Sequence, residues 1–264
     1  MTLIRLVLVI ASVVSAHPLY ANELTARDVT AAFFKSDVDH PADFKGRTLQ
    51  SLDLAGLDFK GARLAGANLS GADLTTANLS RTDLAGARLD RATLIGANFS
   101  GADLTGATIL RPTVFSTLDN NKKDAPTFAG ANLSDVRIVA SRLDGVDFHG
   151  ANLTRAVRGP QDHGWGEERY AQRTVMLGCD FTGAVLVEAN LSNSVLHFAR
   201  FKDADLRGAL LRGADLTKAD MTGADLSGAD LTGANVEDAD LSLVQGLATV
   251  RGLDTIRNFD KAKR

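Results

Sequence analysis

The chain has 264 residues, 45% of them hydrophobic, so it is long enough to bury a sizeable core. A formal net charge of -3 excludes a strongly basic nucleic-acid binder, and the single cysteine, Cys179, excludes an intrachain disulfide framework. Residues 1–21 read as a secretory signal: Arg5 precedes an apolar run from Leu6 to Val14. That run falls far short of the roughly 20 residues that span a bilayer. Cleavage sites are open after Ala16 or after Ala21, and either cut takes the formal net charge from -3 to -4.

Residues 22–41 carry a helix start. Thr25 is placed to cap, Asp28 to answer as the third residue, and Leu24 and Val29 to form a hydrophobic staple. The helix is expected to run to about Phe34, with Val29, Ala32 and Phe33 turned toward whatever follows.

From residue 42 to residue 243 one five-residue unit recurs, clearest from Ala214 to Leu241 (ADLTKADMTGADLSGADLTGANVEDADL). On a helix the third-position Leu would turn by about 140° per unit and cover every face, and on a continuous strand it would alternate between faces. A three-residue extended piece with its first and third side chains inward, closed by a two-residue turn, satisfies the period. Gly at the turn's end, as in Gly223, suits a backbone angle that glycine adopts cheaply.

Ala224-Asp225-Leu226, Ala67-Asn68-Leu69 and many similar triplets resemble the pentapeptide-repeat family. The resemblance implies an all-β solenoid: a right-handed quadrilateral β-helix with four units per coil. Unit centres run from Phe44 to Val114, Phe128 to Leu153 and Met176 to Leu241. Together they make roughly 35 units and about nine coils at a strand spacing of ~4.8 Å. Cys179 holds an inward Ala position and is expected to be a packed side chain. Arg47, Leu52 and Leu57 replace inward Ala in the first coil, so that coil is expected to splay toward the N-terminal capping helix.

Two stretches break the repeat, near 115–125 and 158–174. The first is polar and reads as a solvated loop; Asp119, Asn121 and Asp124 lack the spacing of a calcium loop. The second, RGPQDHGWGEERYAQRT, holds the only Trp. Loops of this length in compact folds are usually functional or disordered, and a Trp is unusual in a flexible linker, so an ordered loop is expected. Candidate partner-binding residues are therefore Trp165, Glu167, Glu168, Arg169 and Tyr170. After it, Val175, Leu177, Val185, Val187, Val195 and Leu210 take outward positions where polar residues are usual, and Trp165 or Tyr170 is expected to fold onto Val175, Leu177 and Val195. Seven acids between Asp215 and Asp240 stand against Lys218; they read first as the motif's solvated second position. Past Leu243, residues 244–264 are read as a C-terminal cap and tail: Leu247, Val250, Leu253, Ile256 and Phe259 recur every three residues, which suits a helical or irregular cap laid over the last coil, and the basic tail Lys261 to Arg264 reads as solvated.

A coil packed with Leu, Phe and Ala has no internal pocket, so catalysis would rest on His163, Glu167 and Glu168 alone. Gly164 and Gly166 argue against the helix that would align them. The reading is thus a non-enzymatic binding scaffold without metal or cofactor, exported to the bacterial periplasm and meeting a protein or envelope component. End-to-end pairing of two copies is a further expectation. The resemblance also implies an alternative, a DNA-mimicking, gyrase-protecting protein; the leader and the modest negative charge count against it.

Overall fold

The computed structural model describes residues 24–37, 39–116, 122–139, 141–157 and 173–264. The expected leader lies outside them. Within a unit the first and third side chains point inward, as Ala224 and Leu226 do at 0% exposure. Residue two pairs with residue two of the next coil in parallel, 20 residues on in the regular stretches, so four units make one coil. Four columns of paired residues result, designated A to D. Column A climbs through Asp43, Arg63, Asp83, Asp103, Asn132, Asn152, Val185, Asp205, Asp225 and Gln245, ten levels where the sequence suggested roughly nine. Columns B, C and D begin at Thr48, Asp53 and Asp58.

The second-position Asp or Asn has a local task that explains its prevalence. Its Oδ1 accepts the backbone N–H two residues on, as from Thr75 to Asp73 at 2.9 Å and from Ser227 to Asp225 at 2.9 Å. Each such bond closes the turn. The fifth residue then adopts positive φ, 72° at Gly223.

The core is continuous through both interruptions. Asn98 pairs with Thr127, 29 residues on, and Arg142 with Val175, 33 on, so the excursions add nine and thirteen residues without disturbing the ladder. In column D the rings of Phe99, Phe128, Phe148, Phe181 and Phe201 stack at 4.8 to 5.4 Å across both. In column B the pairing lengthens to a parallel strand pair, β1 (Thr108–Leu110) with β2 (Arg137–Val139).

At the N-terminal end, α1 (Ala26–Lys35) starts with the expected capping box: Asp28 N–H donates to Thr25 Oγ1 (3.2 Å) and Thr25 N–H to Asp28 Oδ2 (3.0 Å). Val29 and Phe33 are buried, and the Phe33 ring lies 5.4 Å from Phe44 and 4.8 Å from Phe59. Lys60 Nζ donates to the carbonyls of Phe33 and Ser36, each at 3.1 Å, and so ties the last turn of α1 to the coil. The first coil does not splay. Phe44 and Leu49 donate to Arg63 and Asn68 carbonyls at 2.8 Å, in the same register as later coils. Arg47, Leu52 and Leu57 are accommodated there because their positions are half exposed, whereas Ala62 and Ala67 one level higher are fully buried.

Past Leu243 the five-residue period ends, but the coil goes on. Asp230 pairs with Arg251, Asn235 with Arg257 and Asp240 with Lys263, offsets of 21, 22 and 23, so each unit has gained one residue. The segment is neither helical nor irregular; its units have six residues, each with a short 3-10 turn at Leu247–Thr249, Leu253–Thr255 and Phe259–Lys261. Gly228 and Gly233 N–H groups, which would meet carbonyls in a five-residue coil, donate to Thr249 and Thr255 hydroxyls at 2.9 and 3.0 Å. Apolar residues three apart are the signature of this six-residue coil: Val250 and Ala262 are buried, and Leu247 and Phe259 pack against the core.

Candidate functional site

Both excursions border the face of column C. The first leaves that column after Thr113 and re-enters in column D at Thr127; the second leaves column B after Val157 and enters column C at Val175. The first is fastened at its base, with Ser116 N–H donating to Asp124 Oδ2 (2.9 Å) and Gly96 N–H to the Asp124 carbonyl (2.6 Å). Asp124 is thus engaged in the loop's own closure, and its carboxyl is held below the usual range by the Ser116 hydroxyl and N–H. Asp119 and Asn121 lie outside the described residues. Among the described residues no cluster of His, Cys, Asp or Glu suits a metal ion.

Column C itself changes character midway. Its outward residues are Asp53, Asp73 and Thr93 at the start, then Val175 paired with Val195, then Asp215. At the fourth position of the same units Ile95, Phe115, Leu177 and His197 are half-buried. His197 Nε2 lies 2.8 Å from Asp215 Oδ2. Burial works against the Asp215 carboxylate, but hydrogen bonds from Thr217 and His197 outweigh it and hold the carboxyl below its ordinary range. Between these residues Arg142 Nε bonds Asp144 Oδ2 at 2.7 Å, while Asp144 Oδ1 accepts the Leu177 N–H at 3.1 Å.

Phe198 closes this surface and sequence reasoning missed it. It occupies the turn's fifth position at φ 58° with 58% of its surface exposed, and Lys218 Nζ stands 5.6 Å from the ring centre. An aromatic residue in the left-handed region costs about 1 kcal/mol relative to glycine, and here the ring is not repaid by burial. The signal was visible as an aromatic residue where the repeat ordinarily ends in Gly.

Beneath the departure of the second excursion is a cavity with room for about one water, lined by Ile138, Leu153, Leu191, Thr174 and Ser194. Among the described residues, the hydroxyls of Thr174 and Ser194, each residue 1% exposed, find no hydrogen-bond partner. The expected partner-binding residues Trp165, Glu167, Glu168, Arg169 and Tyr170, with His163, lie outside the described residues, and so does the expected packing of Trp165 or Tyr170 onto column C. Val175, Leu177 and Val195 are half-exposed on that face, whereas Val185 and Val187 belong to column A and Leu210 to column B.

The acidic run is less free than its composition suggests. Asp215, Asp220, Asp225, Asp230 and Asp240 each accept the N–H two residues on. Asp230, 1% exposed in its side chain, also meets Arg212 at 2.6 Å; Glu237 meets Lys261 and Asp240 meets Lys263, both at 2.7 Å. Lys261 and Lys263 of the basic tail are therefore ion-paired while staying exposed, as expected of a solvated tail. Lys263, with the Ser242 hydroxyl and N–H, lowers the Asp240 carboxyl to about 2. Cys179 is buried, its Sγ 2.9 Å from the Leu143 carbonyl, and burial pushes its thiol up, as expected of a packing residue.

A coil of four five-residue units with inward Ala and Leu defines a β-solenoid of pentapeptide type. The family description "Pentapeptide repeats" matches 42–81, 72–109, 127–157, 176–213 and 209–244, more than half of the sequence, and the chain belongs to that family. Solved structures similar to it include HetL, a pentapeptide repeat protein involved in heterocyst differentiation regulation from the cyanobacterium Nostoc sp. (24% identity, 88% of this chain and 99% of that one, TM-score 0.45). Full-length QnrB1, a plasmid-mediated fluoroquinolone resistance protein, is 19% identical over 83% of this chain and 93% of its own, with TM-score 0.30. A pentapeptide repeat protein of the Arabidopsis thaliana thylakoid lumen is 20% identical over 69% and 70%, with TM-score 0.12. No curated protein sequence matches the chain significantly.

Proposed function

We propose that this protein is an exported, non-enzymatic scaffold of the bacterial periplasm, a right-handed quadrilateral rod capped at both ends that presents the face of column C to a protein or envelope partner. The observation that carries this reading is that both excursions join the coil beside column C, where the Val175–Val195 pair and the exposed Phe198 also lie. Exposed apolar groups gathered beside polar ones mark binding surfaces more often than scattered ones do. The second excursion supplies the recognition edge through Glu167, Glu168 and Arg169, anchored by Trp165 and Tyr170. The pairing of Asp230, Glu237 and Asp240 with Arg212, Lys261 and Lys263 offsets part of the negative charge of this stretch and weighs against the DNA-mimicking alternative.

Export rests on the Arg5-then-apolar leader. A fusion of Met1 to Ala26 with a reporter active only outside the cytoplasm is expected to give activity, and a silent fusion returns the gyrase-protecting reading to first place. Recognition by the second excursion is tested by Trp165→Ala and by Glu167→Ala with Glu168→Ala. Each is expected to keep the fold and lose partners; full retention by both moves recognition away from the excursion.

A further inference from the structure

Stacked fifth positions elsewhere are used to pair opposite charges. Arg155 lies one coil above Asp135 and bonds it through Nε (2.8 Å) and Nη2 (2.7 Å), with Glu188 one coil higher again adding to the attraction. At the corner between columns B and C the same geometry stacks like charges. Arg91 and Arg111 hold consecutive fifth positions, at φ 59° and 52°, and Arg91 N–H donates to the carbonyl of Leu110, the residue before Arg111, at 2.7 Å. Both are exposed, and among the described residues neither has an ion-pair partner. Arg88 and Arg137, exposed in column B one level to either side of Thr108, bring the corner to four guanidinium groups. Asp90 faces them, with Arg88 Nη2 at 3.4 Å, and part of its acceptor capacity goes to the Leu110 N–H at 3.3 Å.

Two arginines in the left-handed region give up the backbone ease of glycine, and their stacking adds repulsion, in a chain whose net charge is negative. The left-handed turn is shared by other fifth positions, Arg81 and Arg155 among them, and what sets this corner apart is the stacking of like charges. The neighbours of the pair decide the ligand class: Leu110, at the fourth position of the Arg111 turn, and Val139, at the fourth position one coil higher, are half-exposed aliphatic side chains. A polyphosphate or sulfated sugar has no group for them, whereas an extended peptide alternating carboxylates with apolar residues offers forked partners to the guanidiniums and side chains to the aliphatic pair. We infer that the Arg91–Arg111 corner binds an acidic, apolar segment of a partner protein. This does not depend on export or on the column C surface.

The test uses the full chain and a fluorescein-labelled peptide alternating Glu with Leu and Phe, read by anisotropy, beside the same peptide with Gln for Glu. Arg91→Gly with Arg111→Gly is the informative variant, because glycine is the residue the turn prefers. It is expected to weaken binding by roughly tenfold or more, the order for two charge-assisted bonds, while leaving the melting temperature unchanged or higher. A fallen melting temperature with unchanged affinity would overturn the inference, showing that the arginines serve the fold. Equal binding of the Gln peptide overturns it as well. Displacement by inorganic polyphosphate but not by excess unlabelled Glu peptide assigns the corner to a polyanion and also overturns it. If Glu167→Gln with Glu168→Gln strengthens peptide binding in proportion to the loss caused at the arginines, the resident occupant is the chain's own second excursion, and the partner-protein assignment fails.

Discussion

The run from Ala204 to Leu241 and the face of column C around Val175 to Phe198 are built on the same five-residue unit, yet they spend their outward positions differently. In the first, each second-position Asp is occupied by the turn it closes, and Asp205, Asp230 and Asp240 also hold a cation at 2.6 to 2.8 Å. In the second, the paired valines close no turn with their side chains, and Phe198 carries an aromatic ring at an angle suited to glycine. The difference teaches that the repeat supplies stability through its inward residues and turn acids. Outward departures from it are therefore the positions at which binding is to be sought.

Removing Leu247–Arg264 should produce the largest effect, because it uncovers the pairing edge of the last five-residue coil and strips Asp230, Glu237 and Asp240 of Arg251, Lys261 and Lys263. Self-association in light scattering is the expected result; an unchanged monomer would show that the preceding coil closes itself. Next, Leu226→Ala should cost about 2 to 5 kcal/mol in urea melts, whereas Leu177→Ala, at a half-exposed outward position, should cost under about 1. Equal losses would mean that the inward and outward registers are misassigned.

Acid should erode the first region before the second. The folded Asp240 carboxyl is lowered to about 2, so its contribution is fully present above the unfolded carboxylate value of about 4 and is lost as pH falls through about 2. The lowered Asp215, Asp205 and Asp230 carboxyls act in the same direction. Protection factors for hydrogen exchange at Gln245 to Lys263, taken against the intrinsic rate at each pH, are therefore expected to fall between about pH 4 and 2, and protection there that is flat with pH would contradict the assignment. The smallest effect is expected from Phe198→Gly, which relieves the left-handed backbone and should leave stability equal or raise it by about 1 kcal/mol; a clear loss in thermal melts would show that the exposed ring is structural.

Much of this was legible in the sequence because a strict five-residue period admits few backbones. The inward set from Ala62 to Leu241, the capping box at Thr25 and Asp28, and the packed Cys179 follow from spacing alone. Two errors came from treating departures from period five as the end of order. Arg47 sits in register because the first level has a half-open side, and residues 244–264 form a coil because Gly246, Gly252 and Asn258 each absorb one extra residue at positive φ. The site was less legible. Phe198 and the Arg91–Arg111 stack matter through which residues lie one coil away, a 20-residue relation that reading the repeat one unit at a time does not weigh.

The most direct measurement is quantitative capture of partners from periplasmic extract by three forms of the full chain: the unchanged protein, Val195→Thr with Phe198→Gly, and Asp220→Asn with Asp225→Asn. The Asn pair keeps each turn's side-chain acceptor and removes only charge. Partners are expected to be lost with the column C variant and retained with the Asn pair, both forms staying folded in urea melts. Retention by the column C variant, with loss on neutralising Asp220 and Asp225, would contradict the account and move recognition to the acidic face.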